Sequence, residues 1–289
     1  MKARELLFIP LYAVLFALPL AALDVSSVKQ GAPVKRGRSW EQRSEFDASV
    51  KDGARLLLRA DNGGVSVNPA SSGKVTCIVI LRAYTSSEAE ARGLFDKFQL
   101  NARSVEAGGV YLSSQSPRQA RHGSNLRVQF QVTVPQRFNI DVETQGGDIT
   151  VEAPLEGEAR LTTAGGDVRS SDVTGAVRIE TAGGSIEVGK IGGDLTARTA
   201  GGSIRVGGAK GDAILETSGG EIVTGAVTGS LRAETAGGDV VVGGALPGAD
   251  GACEVGIRSG PVGFLRWRHV QRLPELQPHQ HQTHLFRHH

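Results

Sequence analysis

The second half of the chain repeats one pattern of apolar and polar positions at a nearly constant interval. Each repeat has a short alternating run before a glycine pair, such as Ile179-x-Thr181, and another after it, such as Ile186-x-Val188. Alternation with a period of two places these side chains on one face of a strand. A third apolar position recurs at Val173, Ile191, Ala209 and Val227. A fixed period near twenty predicts a solenoid.

Paired glycines and a threonine mark the corners of the predicted coils. The pairs begin at positions 146, 165, 183, 201, 219 and 237, so the interval is nineteen once and eighteen afterwards, and a threonine lies two positions before each pair. We expect glycine where the backbone needs a positive φ or a close approach between coils, and a threonine hydroxyl bonded to the backbone beside it. A single glycine also recurs once per repeat, from Gly157 to Gly229. The predicted repeat residues are Thr144, Gly146, Gly147, Thr163, Gly165, Gly166, Thr181, Gly183, Gly184, Thr199, Gly201, Gly202, Thr217, Gly219, Gly220, Thr235, Gly237 and Gly238.

The outward positions support the same register, because opposite charges recur one repeat apart. The two columns are Glu180, Arg198, Glu216 and Arg169, Glu187, Arg205. Stacked coils would make them cross-strand neighbours, which contribute about 0.2–1 kcal/mol per pair. About six coils, each rising by about 4.8 Å, would form a rod roughly 29 Å long. The predicted fold class is therefore all-β, a β-solenoid (β-helix) over residues 138–254.

A β-rich module with one helix is predicted before the repeats, at residues 40–137. The apolar run at 75–84 and the strict alternation at 126–134 predict strands, the second ended by Pro135. Ser87 to Glu90 has capping-box spacing and precedes apolar residues at helical intervals, which predicts a helix over 87–99. Asp61-Asn62-Gly63-Gly64 predicts a turn between two apolar runs.

The N-terminus has the charged, apolar and small-residue order of a secretory signal. Lys2 and Arg4 precede an apolar run over residues 6–23, and Ala21-Ala22 gives a cleavage point after residue 22. An uncleaved membrane anchor is the alternative, since the run is close to spanning length. We therefore expect a signal peptide at 1–22, a linker at 23–39, and export to the periplasm, the outer surface or the medium.

The C-terminus departs from the repeats after Glu254. Residues 255–289 lack glycine-pair coils and carry six of the seven histidines. We expect a frameshifted or otherwise non-native tail that is disordered. Its histidine-rich segment 279–284 is not predicted to be a metal site, because nothing around it indicates supporting groups.

Composition and residue distribution exclude several kinds of chemistry. The 32 basic and 30 acidic residues, with a net charge of +2, give no electrostatic footprint for nucleic acid. Between residues 139 and 254 there is no histidine, the commonest acid–base catalyst, and no aromatic side chain of the kind that binds sugars. Carboxylates follow several glycine pairs, at Asp148, Asp167, Glu221 and Asp239, and we interpret them as turn-stabilising residues. We predict no catalytic residue, cofactor or metal site.

Cysteine usage and the known glycine motifs add no site. Two cysteines in different modules cannot form a disulfide framework, and Cys77 in its apolar run is expected to be buried. Calcium-binding nonapeptides need a further glycine where Ile186 stands, and hexapeptide acyltransferases need apolar residues where Ser185 and Glu221 stand. The glycine pairs precede strands rather than helix N-termini, which argues against a phosphate loop.

The repeats resemble a known family. The segment Ile140-Asp141-Val142-Glu143-Thr144-Gln145-Gly146-Gly147-Asp148-Ile149 and the Thr-x-Gly-Gly units after it are similar to the bacterial DUF4097 family of adhesin-like proteins, over residues 54 to 254. The resemblance implies a β-solenoid associated with the cell envelope and carries no catalytic residues.

Three functions follow from these features. The first is a non-enzymatic adhesin-like protein that binds an unknown protein or glycan at the envelope. The second is a polysaccharide-acting β-helix enzyme using Asp167 or Asp239, which rests on fold analogy. The third is a structural or regulatory component that self-associates through open solenoid ends.

Overall fold

The computed structural model describes residues 28–105, 108–117 and 125–243, together with the backbone of 253–257. The predicted signal peptide at 1–22 and residues 258–289 of the predicted tail lie outside the described residues. The prediction of disorder from residue 255 is wrong for residues 255–257, because they belong to a strand that pairs with the repeats. Within them the chain forms strands and a single helix. The all-β prediction is confirmed at this level.

The part before the repeats contains nine strands and the helix. The strands are β1 (Lys29–Gln30), β2 (Val34–Arg36), β3 (Ser39–Ser49), β4 (Arg55–Ala60), β5 (Gly64–Ala70), β6 (Lys74–Ala83), β7 (Gln99–Val105), β8 (Gly109–Gln115) and β9 (Leu126–Pro135). Both β1 and β2 lie in the segment that was predicted to be a linker.

The helix α1 (Glu88–Phe95) begins where the capping signal predicts. The Ser87 hydroxyl accepts a hydrogen bond from the Glu90 N–H at 3.2 Å, which satisfies one free N–H of the first turn. Ala91 and Phe95 are the buried residues of its inner face. The helix ends earlier than the predicted residue 99, because Gln99 already belongs to β7.

The repeats alternate strands of two kinds. Those before the glycine pairs are β10 (Asn139–Thr144), β12 (Ala159–Thr163), β14 (Val177–Thr181), β16 (Leu195–Thr199), β18 (Ala213–Thr217) and β20 (Leu231–Thr235). Those after them are β11 (Ile149–Val151), β13 (Val168–Ser170), β15 (Ile186–Ile191), β17 (Ile204–Ala209), β19 (Ile222–Thr224) and β21 (Val240–Val242). The last strand, β22 (Cys253–Ile257), pairs in parallel with β20.

The two kinds of strand form two separate parallel arrays in register. Ile186 of β15 is the partner of Ile204 in β17, which is the partner of Ile222 in β19. All three are buried, at 1% exposure or less. The predicted piling of aliphatic side chains one repeat apart is therefore confirmed for this ladder.

A third inner ladder closes each repeat between the two arrays. Parallel bridges join Leu155 to Val173, Val173 to Ile191, and Ala209 to Val227, and all five residues are buried. Leu155 was not among the predicted positions, because the first repeat is one residue longer. Up to Val151, each residue of the first repeat pairs with the residue 19 positions later, whereas Leu155 pairs with Val173, 18 positions later. The extra residue of the first repeat therefore lies between Val151 and Leu155.

The same stack extends into the N-terminal part of the chain. Strands β4 and β5 pair in parallel with β10 and β11, and β8 and β9 pair in parallel with β4 and β5. The turn predicted at 61–64 therefore links two arrays and is a corner of the stack rather than a hairpin. In space the strands β8 and β9 precede β4 and β5, although they follow them in sequence.

Antiparallel strands and the helix cover this end of the stack. Strand β6 lies antiparallel between β3 and β9, and β7 lies antiparallel to β8. The large buried side chains Phe46, Phe95, Phe130 and Phe138 concentrate here, whereas the later core is aliphatic. We call β1–β3, β6, β7 and α1 the cap.

Candidate functional site

The corner threonines tie each repeat to the one before it. Five of them donate their hydroxyl proton, at 2.7–2.9 Å, to a glycine carbonyl of the preceding repeat. The same oxygens accept the N–H of the second glycine of their own pair at 3.1–3.3 Å. The five are Thr163, Thr181, Thr199, Thr217 and Thr235, and Thr144 bonds the Gly63 carbonyl at 3.0 Å in the same manner. Because the oxygens are buried, satisfying donor and acceptor together matters for stability.

The second glycine of each pair is required by close approach between repeats. A Cβ on Gly184 would lie 2.0 Å from the Gly166 carbonyl oxygen, and the equivalent distance at Gly202 is 2.1 Å. The first glycine has room, since a Cβ on Gly183 meets nothing nearer than 3.6 Å. Only at the start of the stack does backbone conformation matter as well, because Gly147 has a φ of +126°. The two glycines of a pair thus have different roles.

The row of carboxylates after the glycine pairs is part of a hydrogen-bonded column. Asp148 Oδ1 accepts the Asp167 N–H at 2.9 Å, and Asp167 Oδ1 accepts the Ser185 N–H at 2.9 Å. The hydroxyl of Ser185 then accepts the Ser203 N–H, and that of Ser203 accepts the Glu221 N–H, both at 3.3 Å. Asp148 and Asp167 therefore satisfy backbone groups at the corner, as the turn-stabilising interpretation requires.

A second column of this kind was not recognised in the sequence. Asp194 Oδ1 accepts the Asp212 N–H at 3.0 Å, and Asp212 Oδ1 accepts the Ser230 N–H at 2.7 Å. At a different position of the repeat, outside this column, Asp172 Oδ1 accepts the Lys190 N–H at 2.7 Å. An Asp followed one repeat later by Asp or Ser is the signal that could have revealed it.

The acidic residues named for the enzyme alternative do not come together. Asp167 and Asp239 are separated by four levels of the stack, about 19 Å at the spacing of paired strands. Pairs of catalytic carboxylates in glycosidases lie about 5–9.5 Å apart. The second oxygen of Asp167 also accepts from Arg169 at 2.9 Å. The geometry gives the two residues no common reaction centre.

The outward charge columns have the predicted register but only part of the predicted pairing. Arg198 Nε lies 3.0 Å from Glu216 Oε2, and Arg169 Nε lies 3.8 Å from Glu187 Oε2. Glu180 pairs instead with Arg178 of its own strand. Such exposed pairs contribute little stability, so this face is better regarded as a charged surface open to solvent.

In the cap, the ionisation of Glu41 is shifted by its partners. The Glu41 side chain is only 8% exposed and lies 2.9 Å from Arg82 Nη2 and 3.0 Å from Arg43 Nε. The hydrogen bond from Arg82 is the main cause of a lowered pKa for Glu41, burial opposes it, and Arg43 adds to it. The guanidinium of Arg82 has a raised pKa because it bonds both Glu41 and Tyr84.

An open cleft lies at the edge of the cap. Its volume is about 380 Å³, and it is lined by Lys35, Gly37, Arg38, Tyr84, Thr85 and Ser86. Residues 35–38 lie in the segment that was predicted to be a linker, and Tyr84 is the last residue of the strand predicted at 75–84. No sequence signal joins these residues, because β2 and the end of β6 meet only through strand pairing across β3.

The remaining candidate groups are structural or absent from the described part of the chain. Cys77 is fully buried, and burial raises the pKa of its thiol to about 12. Among the described residues, no three His, Cys, Asp or Glu side chains are grouped so as to hold a metal ion. The histidine-rich segment lies outside them. Over the described ranges no helix has the length and apolar character needed to cross a membrane.

Comparison with known proteins gives similarity to solved structures alone. No protein-family model matches the chain, and no curated protein matches it. Its fold is similar to a Bacteroides fragilis protein named a putative adhesin, with 13% identity, 74% of this chain and 96% of that chain covered, and a TM-score of 0.39. A putative lipid binding protein from Parabacteroides distasonis gives 13% identity, coverage of 71% and 96%, and a TM-score of 0.33. A putative cell adhesion protein from Clostridium sporogenes gives 11% identity, coverage of 74% and 99%, and a TM-score of 0.22. Function has to be argued from this chain's own geometry.

Proposed function

We propose that this protein is a non-enzymatic, exported β-solenoid of the cell envelope that acts as an adhesin-like binder. The apolar N-terminal run supports export, and the Thr-x-Gly-Gly repeats support membership of the DUF4097 family. The solenoid begins earlier than the repeats suggest, with the segments 109–135 and 55–70 as its first two coils. Its partner is a protein or a glycan at the envelope.

One observation carries this proposal: the levels from Thr144 to Thr235 are tied together by the corner hydrogen bonds, and two parallel arrays and a third inner ladder stack in register. Buried threonine hydroxyls bond across levels, and the second glycines leave no room for the coils to slip. Such a body holds its outward side chains at fixed spacing without an ordering cost when a partner binds. The described residues place side chains in rows about 4.8 Å apart, which suits an extended or repeating partner.

A surface-binding assay tests the proposal directly. Fluorescently labelled protein is titrated onto intact bacterial cells and onto isolated cell walls, with a heat-unfolded sample as the control for nonspecific adhesion. We expect saturable binding that needs the folded stack. Binding that never saturates, or that the unfolded sample reproduces, would contradict an adhesin-like role.

Two further measurements separate the alternatives. Sedimentation velocity at increasing concentration distinguishes a monomeric binder from a component that assembles end to end. A screen of envelope polysaccharides for cleavage products tests the enzyme hypothesis, with Asp167→Asn as the variant that should abolish any turnover.

A further inference from the structure

The cap cleft differs from the rest of the described surface in its apolar exposure. Only three large hydrophobic side chains of the described residues are exposed, and they are Val28, Val34 and Tyr84. All three belong to the cap or to the chain entering and leaving it. Tyr84 is the aromatic one, with 39% of its surface exposed. Its hydroxyl is bonded to Arg82, so what it presents to solvent is the apolar ring, and an exposed aromatic ring is typical of a contact surface.

Positive charge surrounds this ring without being neutralised. Lys35 and Arg38 line the cleft, and the Arg127 guanidinium lies 5.6 Å from the Tyr84 ring centroid. Within the described residues neither Lys35 nor Arg38 forms an ion pair, whereas Glu41 nearby is already bonded to Arg43 and Arg82. Lys35 Nζ lies 5.9 Å from the centroid of the Trp40 ring, which is a cation–π partner and not a carboxylate. The cleft therefore presents two cations without a carboxylate partner beside the Tyr84 ring.

The remaining lining groups can bond a polyhydroxylated ligand. Thr85 Oγ1 donates to the Ser87 carbonyl at 3.1 Å, so its oxygen remains available as an acceptor. The Ser86 hydroxyl can donate and accept. A Cβ on Gly37 would meet nothing within 4 Å, which leaves the mouth of the cleft open on that side. The volume of about 380 Å³ lies in the range of about 300–1,000 Å³ typical of small-ligand sites.

We propose that this cleft binds a carboxylate-bearing saccharide, such as a uronic acid unit of a polysaccharide. The inference rests on the proposed binding function and names its ligand class. Lys35 and Arg38 hold the carboxylate, Tyr84 packs against the face of the sugar ring, and Thr85 and Ser86 bond its hydroxyls.

Isothermal titration calorimetry of the full chain with trigalacturonic acid tests the proposal. Neutral maltotriose, inorganic phosphate and vesicles of anionic phosphatidylglycerol are the comparison probes. We expect saturable binding of trigalacturonic acid, and about tenfold or weaker binding of maltotriose, because a charge-assisted contact is worth roughly 1.5–3 kcal/mol. Equal affinity for maltotriose, or saturable binding of phosphate or vesicles alone, would overturn the assignment.

Matched variants distinguish a built site from general attraction to positive charge. The double variant Lys35→Gln, Arg38→Gln should weaken binding about tenfold, and Tyr84→Ala about fivefold. The control Lys190→Gln, Lys210→Gln removes the same charge from the repeats and should leave affinity within about twofold, because exposed charges beyond a Debye length are screened. Equal loss in the control pair would overturn the proposal. Circular dichroism confirms that each variant is folded.

The two levels of inference fail separately. If the protein binds cells saturably but no trigalacturonic acid, the saccharide assignment is wrong and the adhesin-like function stands. If it binds neither, both are wrong.

Discussion

The adjacent residues Gly183 and Gly184 give the sharpest test of how the repeats are held together. Both belong to one corner, and neither has a positive φ. Gly183 is exposed and Gly184 is buried. Replacing each by alanine adds the same methyl group at neighbouring positions, so a difference between the two variants reports the approach of the preceding repeat alone.

The magnitude follows from the distances. Ordinary van der Waals contact begins near 3.4 Å, and a Cβ on Gly184 would lie 2.0 Å from the Gly166 oxygen, so the two backbones must move apart to remove the overlap. That carbonyl accepts the Thr181 hydroxyl at 2.9 Å, and the Gly184 carbonyl accepts the Thr199 hydroxyl at 2.7 Å. In Gly184→Ala, overpacking costs about 1–3 kcal/mol, and the loss of one or two hydrogen bonds costs about 1 kcal/mol each. The free energy of unfolding should therefore fall by about 2–5 kcal/mol. Gly183→Ala should be neutral or stabilising by up to about 1 kcal/mol, because alanine restricts the unfolded chain.

Urea unfolding followed by far-ultraviolet circular dichroism measures both variants against the wild type. The difference in midpoint, multiplied by a common slope, gives the change in unfolding free energy if the slopes agree. Surface substitutions usually change the free energy of unfolding by no more than about 0.5 kcal/mol. If the values for Gly183→Ala and Gly184→Ala differ by less than this, close approach of the preceding repeat does not explain the second glycine. That result would mean that the glycine pair serves backbone flexibility rather than stacking.

Three further predictions concern the corner, the cap and the core. Thr199→Val should lower the free energy of unfolding by about 1–3 kcal/mol, because it leaves the Gly184 carbonyl and the Gly202 N–H without a partner. Thr199→Ser keeps the hydroxyl and should lower the free energy of unfolding by less. Equal urea midpoints for the two variants would contradict this prediction. Glu41→Gln should lower the free energy of unfolding by about 1 kcal/mol at pH 7. Because folding lowers the pKa of Glu41, its contribution to stability is fully present above the pKa of the unfolded state. That contribution is lost as the pH falls through the pKa of the folded state. The difference between wild type and Glu41→Gln in unfolding free energy should therefore shrink towards pH 3, and a pH-independent difference would count against the ion pairs. In a Cys253→Ser background, burial of the Cys77 thiol with its pKa of about 12 predicts no reaction with a disulfide reagent at pH 8 until the protein unfolds, and rapid labelling of native protein would show that the core opens.

The repeats were predictable because every repeat poses the same packing problem. Ile186, Ile204 and Ile222 recur at one interval, and stacked strands can satisfy that regularity only by aligning them. The threonine beside the corner was predictable for the same reason, since a buried hydroxyl needs both a donor and an acceptor. What the spacing could not reveal is which glycine of a pair is essential, because that depends on the distance to the next backbone.

The sequence did not predict that β4, β5, β8 and β9 continue the two arrays, because these strands stack in the same way but lack the Thr-x-Gly-Gly motif. Leu56 and Val65 are separated along the chain by the same interval as Ile140 and Ile149, and Gly63 occupies the level next to Gly147 with a similar φ of +122°. The corner threonine is replaced by Ala60, however, so the repeat signature is missing. The strands β8 and β9 lie further apart in the sequence, and only their parallel pairing with β4 and β5 shows that they continue the two arrays.

Periodicity also limits where a ligand can be recognised specifically. A face that repeats every level offers similar positions many times. Some of its columns alternate in charge, and another varies without pattern, as in Arg178, Thr196, Ile214 and Arg232. A single defined site requires groups that converge from different elements, which a straight stack of parallel strands does not provide. The cap breaks the repetition by running β3 and β6 antiparallel to their neighbours, and within the described residues it is there that a lysine, an arginine and an exposed tyrosine meet. Under the function proposed above, the repeats provide rigid rows that an extended partner can follow, and we propose that the cap selects the saccharide unit.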